Sequence, residues 1–503
     1  MANVKARAVE LLAILHNDRP ALRRYDRYVE GKQDDPYMPA NADDEYKLLA
    51  ERAKTNVMPL LTGAPAQALY VDDFRPGNRS LTSTSSGTRF EMKHWQWSRM
   101  DARQSAIYRA AFKFGHSFTL TEKTKKRRAR TKSLSALSTA ALYEDPANDE
   151  TPLYAITITS EPRTVKDEQV PGKARLFDGK FEYPVTFKSL TDEDGITVGT
   201  GIAHGASECP VTRFACHVDT EGRTTGLVEP MIAVQNRINQ TVFDLLVAQT
   251  YASFKVRWVT GMAPPMLMQG VDENGNPTRV EADIVDWVPV RDANGNEVPA
   301  PMNHNARRFL FAEDTDTKFG SLDETPLDGF IASIDMSFRH MAALSQTPPH
   351  HLLGQIANLS AEALLAAETA FSRMVEEFRK GFGEAWERVF RLAAEMDGDA
   401  DAADDFEGET LWRDMEQRSL AQAADALGKL REQLGIPKRG LWPRVPNVTR
   451  TELDQWEDLA DEEDAALAMS QAVSRATTND TTSFRSSTPA RVLGAPPTAK
   501  AAA

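Results

Sequence analysis

Apolar positions along the chain change period several times, and each change predicts an element. Val4, Ala8, Leu11, Leu12 and Leu15 recur at helical spacing and 44–57 continues the pattern, so residues 1–60 read as helical. The run Ala68, Leu69, Tyr70, Val71 predicts a short strand, followed by a loop rich in Gly, Ser and Thr over 76–88. A helix is predicted over 95–113, with Trp95, Met100, Ile107 and Phe112 among its apolar positions and Gly115 as its stop. From 116 to 216 the pattern shortens to strands at 117–121, 153–158, 180–187, 196–202 and 211–216, separated by Gly and Asp turns.

Pro230 sits where proline is favoured, in the first turn of a helix predicted over 230–253. Leu227, Met231, Val234, Ile238, Thr241, Leu245 and Gln249 form one mostly apolar stripe on it, over a length of roughly 36 Å. Alternating runs follow at 254–259 and 284–288, together with two near-identical tips at 272–276 and 292–296. Each tip carries Asn-Gly, the favoured two-residue hairpin turn, because both positions take positive φ at little cost. A small β-rich insert between two helices is therefore expected.

The second of those helices, over 327–344, carries Leu327, Ile331, Ile334, Phe338 and Met341. It is cut by Thr347-Pro348-Pro349-His350-His351-Leu352-Leu353-Gly354, where two prolines fix φ twice and remove two donors, giving a stiff loop. A helix of about 50 Å is then predicted over 361–393. Ser360 would cap it, Glu362 suits its N-terminal dipole, and Phe371, Val375, Phe378, Phe382, Trp386 and Val389 line one face. Gly381 and Gly383 each cost that helix about 1 kcal/mol relative to alanine and mark a bend or a close contact. An acidic break at 397–409 precedes helices predicted at 411–434 and 450–473. The tail from 474, dominated by Thr, Ser, Ala and Pro, reads as disordered.

At 503 residues the chain exceeds one ordinary core, so two to four modules are expected. The net charge of -14 argues against a surface built to grip phosphates, though not against one that lets nucleic acid pass without sticking. Cys209 and Cys216 fit no common zinc spacing and suggest a reduced, cytosolic history. Lys5, Arg7 and Glu10 interrupt the N-terminal apolar positions, and no apolar run reaches about 18 residues. A soluble protein, neither secreted nor membrane-spanning, is expected.

Candidate chemistry is sparse. The sequence has no Gly-x-x-x-x-Gly-Lys-Ser/Thr, no Gly-x-Ser-x-Gly and no His-Glu-x-x-His. His350 and His351 read as loop residues positioned by their prolines rather than as metal ligands, since adjacent side chains seldom converge and no acidic partner is close in sequence. The basic run Lys123, Lys125, Lys126, Arg127, Arg128, Arg130, Lys132 reads as a solvated loop rather than a phosphate-binding arm, because no aromatic residue interleaves. Asp397, Asp399, Asp401, Asp404 and Asp405 resemble a calcium loop until its sixth and twelfth positions, Ala402 and Gly408, and read as a solvated turn. No cofactor and no metal is expected. The two helices around the insert each carry a narrow apolar seam, which suits neighbours on both sides, as in a ring of identical subunits.

Four segments carry a resemblance. They are Phe112-Lys113-Phe114-Gly115-His116-Ser117-Phe118; Ala141-Leu142-Tyr143-Glu144-Asp145-Pro146; Gly226-Leu227-Val228-Glu229-Pro230-Met231-Ile232 leading into Asn236-Arg237-Ile238-Asn239; and the Pro-Pro-His-His segment with Asn358-Leu359-Ser360-Ala361-Glu362-Ala363-Leu364 and Phe382-Gly383-Glu384-Ala385-Trp386. In this order, over residues 90–395, the chain resembles a portal protein of a long-tailed bacteriophage.

The resemblance implies an α+β portal fold with a helical stem and crown, a β-rich wing and clip, and a long helix behind a tunnel loop. It implies a wing over 1–229, stem helices over 230–253 and 327–345, a clip over 254–326 and a tunnel loop over 346–359. A long wing helix over 360–396, crown helices over 397–473 and a disordered tail over 474–503 would follow. The tunnel loop would turn Gln346, Thr347, Pro348, Pro349, His350, His351, Gln355 and Asn358 toward DNA. The clip interface would use Trp258, Asn274, Gly275, Trp287, Asn294 and Gly295. Implied partners are further copies in a ring of twelve, double-stranded DNA in its channel, the large terminase, head-completion or adaptor proteins, and major capsid and scaffolding proteins, with no membrane. The chain would be found in the virion at the portal vertex, after assembly in the host cytoplasm, and would not be an enzyme. Two rivals stay open: a metal-dependent nuclease or hydrolase using His350, His351 and the acidic cluster, and a capsid scaffold without DNA passage.

Overall fold

The computed structural model describes residues 2–39, 43–77, 90–124, 128–252, 257–260, 266–298, 316, 318–321, 326–354, 361–413, 420–445, 448, 452–453, 455–465 and 469. Its helices, in chain order, are α1 (Ala2–Val29), α2 (Asp44–Ala53), α3 (Met58–Gln67), α4 (Phe90–Ser98), α5 (Met100–Phe114), α6 (Ile232–Ala252), α7 (Asp328–Leu344), α8 (Pro349–Leu353), α9 (Ala361–Asp397), α10 (Ala400–Ala403), α11 (Leu420–Leu434) and α12 (Lys438–Leu441). The chain divides into two compact units. One holds Met1–Glu30, Met58–Met231 and Ser345–Ala503, the other Gly31–Val57 and Ile232–Leu344. Helices and sheets are mixed throughout, as the α+β reading anticipates.

The first unit is organised by α9. Phe371, Val375, Phe378, Phe382, Trp386 and Val389 fall on one face of it at steps of three and four and are buried against α4, α5 and the strand Val211–Ala215. Aromatic rings dominate this core. Trp95 meets Trp386 edge-on with centroids 4.9 Å apart, and the Trp386 indole N–H donates to the Tyr108 hydroxyl at 2.7 Å. Arg388, 3% exposed, projects from the same helix toward the sheet. Its guanidinium donates to the carbonyls of Val211 (2.9 Å) and Cys209 (2.8 Å) and to Thr212 Oγ1 (2.9 Å), so both terminal nitrogens of the buried cation are paired.

Three larger or long-range sheets, and two short strand pairs at Arg163–Val165 with Glu168–Val170 and His217–Val218 with Thr224–Thr225, belong to this unit among the described residues. Thr139–Leu142, Tyr154–Ser160, Gly172–Phe177 and Phe181–Phe187 form an antiparallel meander, with Thr197–Val198 and Ile202–Ala203 added to its last strand. The apolar stripe of α1, Ala8, Leu11, Leu12 and Leu15, packs on Ile156, Leu176, Val185 and Phe187 of that meander. A second sheet orders Val211–Ala215, His116–Lys123 and Ala129–Leu134. A third pairs Val71–Arg75 with Glu409–Trp412.

In the second unit α2 packs on α6 through Leu49, Ala50, Ala53 and Phe243. The stripe predicted on α6 is buried at Val234 and Ile238, while Gln249 is exposed. Two polar residues, Gln235 and Asn239, are buried as deeply as that stripe. Asn239 Nδ2 donates to Gln33 Oε1 (2.6 Å), Gln235 Nε2 donates to Asn239 Oδ1 (2.8 Å) and to the Thr55 carbonyl (2.7 Å), and the Thr55 amide donates to Asn239 Oδ1 (3.1 Å). This network ties the 31–57 segment to α6.

Several expectations need correction. The helix predicted over 95–113 is two helices, because Arg99 takes a left-handed conformation (φ 57°) between α4 and α5, and Trp95 Nε1 reaches across the break to Asp101 at 2.7 Å. The strand expected at 68–71 begins at Val71, since the Ala68 amide still donates to the end of α3. Residues 409–412, read as the acidic break and the start of a helix, are a strand, and Thr410, Leu411 and Trp412 suit a half-buried pairing. The strand expected over 196–202 is two short pieces. The Asn-Gly tips are not two-residue turns. Gly275 (φ 80°) alone takes positive φ, its amide donates to the Asp272 carbonyl, and Asp272 Oδ1 accepts from the amides of Asn274 and Asn276. The second tip repeats this at Asp292 and Gly295, so both are three-residue loops closed by a left-handed glycine. A Cβ on Gly381 would meet nothing within 4 Å, and one on Gly383 only ordinary contacts, so neither marks a close approach.

Candidate functional site

Proline chemistry shapes the segment after α7. Gln346 takes φ 52°, Thr347 and Pro348 are buried, and Pro349 occupies the first position of α8, where its missing N–H has no partner to lose. The 349–353 segment is therefore a helical turn, where the prolines suggested a stiff loop. Gly354 (φ 65°) closes it, donating its amide to the His350 carbonyl at 3.0 Å.

That turn brings the two histidines together. His350 and His351 stack edge to face with centroids 4.4 Å apart. Both Nε2 atoms address one carboxylate oxygen, Glu368 Oε1, at 3.0 Å from His350 and 3.4 Å from His351. The acidic partner missing from the local sequence comes from the second turn of α9. His351 also lies edge-on to Phe371 of the aromatic core, at 5.9 Å. Its pKa is lowered, first by burial and also by the neighbouring His350, with Glu368 opposing, so its ring is neutral at neutral pH. Of the residues expected to face DNA, Gln346, Pro349 and His351 are exposed, His350 is largely covered, and Thr347 and Pro348 are buried. Gln355 and Asn358 lie outside the described residues.

The acidic run does not join this cluster. Glu368 and Asp397 stand on the same helix 29 residues apart, so about 44 Å of helix separates them. Asp397 instead accepts from the Ala129 amide (2.6 Å), Asp399 caps α10 through the Ala402 amide, and Asp405 accepts from the Gly77 amide (3.1 Å). These carboxylates hold backbone, and the solvated-turn reading is too simple. The basic run is likewise partly structural. Lys123 donates to the Met396 carbonyl at 2.7 Å, Lys132 and Arg175 flank Glu122, and 129–134 is a paired strand rather than loop. Arg128 lies 5.9 Å from the Trp97 ring, an aromatic partner brought in from α4. Lys125, Lys126 and Arg127 lie outside the described residues. Cys209 and Cys216 are free and buried, and burial pushes the Cys209 thiol up to about 12.

In the second unit the tips place Asn274, Gly275, Asn294 and Gly295 in solvent. Trp287, opposite Gly270 in a three-stranded sheet, is 55% exposed, and Val280, Val285 and Met268 are exposed nearby in sequence and sheet. Trp258 pairs with Gly320 in the strand pair Arg257–Thr260 and Lys318–Ser321. Among the described residues, no helix is long and apolar enough to cross a membrane.

Comparison with known proteins places this geometry in context. Residues 10–466 match the family described as "Phage portal protein, SPP1 Gp6-like". The chain is 33% identical over 168 residues to the portal protein of Mycobacterium phage D29, covering 32% of this chain and 34% of the relative. The same identity and coverage hold for the portal protein of Mycobacterium phage L5. The chain thus spans about a third of the length of the curated relatives it matches. A chain of the "Virion of native gene transfer agent (GTA) particle" aligns over 80% of this chain and 92% of its own length, with 11% identity and a TM-score of 0.37.

Proposed function

Because the chain belongs to the phage portal protein family, we propose that it assembles as a ring at one capsid vertex, through whose channel DNA is packaged and ejected. The ring would be built of twelve copies, on which the large terminase and later the head-completion and tail proteins dock. The observation that carries this reading is the sequence of parts α6, β-rich insert, α7, α8 and α9. A helix leaves, a β insert with an exposed Trp287 follows, a helix returns, and a histidine-bearing turn is buttressed by a helix of 37 residues. The channel face would be neutral to acidic. The chain carries 73 Asp and Glu against 59 Lys and Arg, and Gln346, exposed on the turn, offers hydrogen bonds without a fixed positive charge. DNA touched this way is guided and not trapped. The β insert would be the clip that meets terminase and then the tail connector. The chain itself would perform no catalysis, and ATP hydrolysis would belong to the terminase.

Electron microscopy of the purified chain and of assembled particles tests the architecture. Closed rings with an axial opening are expected, and a chain that stays monomeric both alone and with capsid proteins would overturn it. For the DNA contact, particles carrying His350→Ala and His351→Ala are expected to package or retain DNA poorly. Unchanged packaging, retention and infectivity would remove the turn from the channel.

A further inference from the structure

We propose that His350, His351 and Glu368 form a binding site for a divalent transition-metal ion, zinc foremost, that clips α8 to α9. The ligand atoms are His350 Nε2, His351 Nε2 and Glu368 Oε1, and all lie within 4.8 Å of one another. Two of the three separations are 3.0 Å and 3.4 Å. Tetrahedral zinc, with ligands at about 2.0–2.1 Å, sets neighbouring ligand atoms about 3.3–3.4 Å apart, so the two separations to Glu368 need shifts of at most a few tenths of an ångström, while the two imidazole nitrogens, within 4.8 Å of each other, close to that distance by small rotations of their rings. Two imidazoles and one carboxylate are a donor set taken by zinc and by iron(II).

Adjacent histidines do not ordinarily converge, and here they do so for a reason. Pro349 starts a helical turn that leaves both rings on the side of α9, while Phe371 backs the His351 ring edge-on. The His350 side chain is only 10% exposed, and those of His351 and Glu368 are about one-third exposed. The ion would therefore be shielded on one side and open to a water in its fourth position. Without metal, one carboxylate oxygen must satisfy two imidazole N–H groups. With metal, all three groups ligate the same centre. The acidic run cannot join this centre, since it stands about 44 Å along α9, and the role assigned to the ion is to hold α8 against α9.

The test uses the full chain, stripped with chelator and titrated with zinc alone at neutral pH, with metal content read by elemental analysis. Stoichiometric zinc is expected on the unaltered chain. Glu368→Gln and His350→Ala are each expected to weaken binding by at least ~100-fold, beyond the loss seen when only a supporting residue is removed. Zinc should raise the thermal midpoint of the unaltered chain and leave that of Glu368→Gln unmoved. Cobalt(II) added to the unaltered chain should give the visible absorption of a tetrahedral site, a readout that needs no variant to fold. Sub-stoichiometric zinc on the unaltered chain, or equal binding by the variants, would overturn the proposal. Retention of iron in preference to zinc would keep the site and replace the ion.

Discussion

Replacing Asn239 with alanine should loosen the 31–57 segment from α6 by about 3–5 kcal/mol. Asn239 is 1% exposed and makes three hydrogen bonds, one donated to Gln33 and two accepted from Gln235 and the Thr55 amide. Gln235 keeps the Thr55 carbonyl after truncation, so its loss is one bond, about 1 kcal/mol. The Thr55 amide loses its acceptor in a half-buried position, a penalty of about 1–3 kcal/mol, and the short bond to Gln33 adds about 1 kcal/mol. Asn239→Leu helps to separate hydrogen bonding from packing, because leucine keeps the number and branching of heavy atoms, though with bulkier methyl groups, and has none of the polar atoms. Hydrogen exchange resolved to segments 31–57 and 232–252 is the suitable assay, since a chain of two units does not unfold as one. Both variants should exchange faster in both segments, with little change around Trp386. A leucine variant within about 1 kcal/mol of the unaltered chain would refute the reasoning, because the buried amide would then be replaceable by any side chain of its size.

Gly381→Ala should raise stability by about 1 kcal/mol, since a methyl there meets nothing within 4 Å and glycine weakens a helix interior by that amount; a lower thermal midpoint would refute it. His94, 4% exposed in α4, has its pKa lowered to about 4 chiefly by burial. A depressed folded pKa means that the unfolded chain binds the proton first. The stability His94 contributes is therefore complete above about 6.5 and drains away as pH falls toward about 4, by at most about 3 kcal/mol. Thermal midpoints from pH 7 to 4 should fall less steeply in His94→Gln, and parallel slopes would exclude the histidine as the source.

Legibility in the sequence followed the range of the interaction. The α9 stripe from Phe371 to Val389 was readable because period 3.6 is a local property, and the same holds for α7 and for Gly115 as the stop of α5. The strand Glu409–Trp412 was not, because its partner lies more than 300 residues away and nothing near Thr410 records it. Asn239 and Gln235 escaped for a different reason. A stripe defined by apolar residues skips polar ones by construction, so a buried amide network on the same face is invisible to it. The only local trace is that Gln235 and Asn239 stand four apart, which puts them on one face next to Ile238. The Asn-Gly tips failed on conformation rather than location. Both turns are where they were expected, but Asp272 and Asp292 hold their amides in an arrangement that only one residue, the glycine, closes with positive φ.

The histidine pair shows how a fold can supply a partner that the local sequence lacks. Adjacent side chains do diverge on average, and no acid lies near His350 in sequence. What the premises omit is that a short helix places a neighbour's carboxylate between two rings as readily as chain proximity does. Glu368 is eighteen positions on from His350, yet its Oε1 is the nearest carboxylate oxygen to both imidazoles among the ion pairs they make. The same helix also keeps the histidines from the acidic run. A centre built from both would need them within a few ångströms of one substrate, and α9 holds them about 44 Å apart. If the turn bears against DNA as proposed, it needs to be fixed from behind, because a free loop would yield under load. Pro349 at the helix start, Phe371 behind His351 and Glu368 against both rings supply that fixation from independent directions. Weakening one of them should soften the turn without unfolding α9, whose own aromatic core begins at Phe371 and runs away from it.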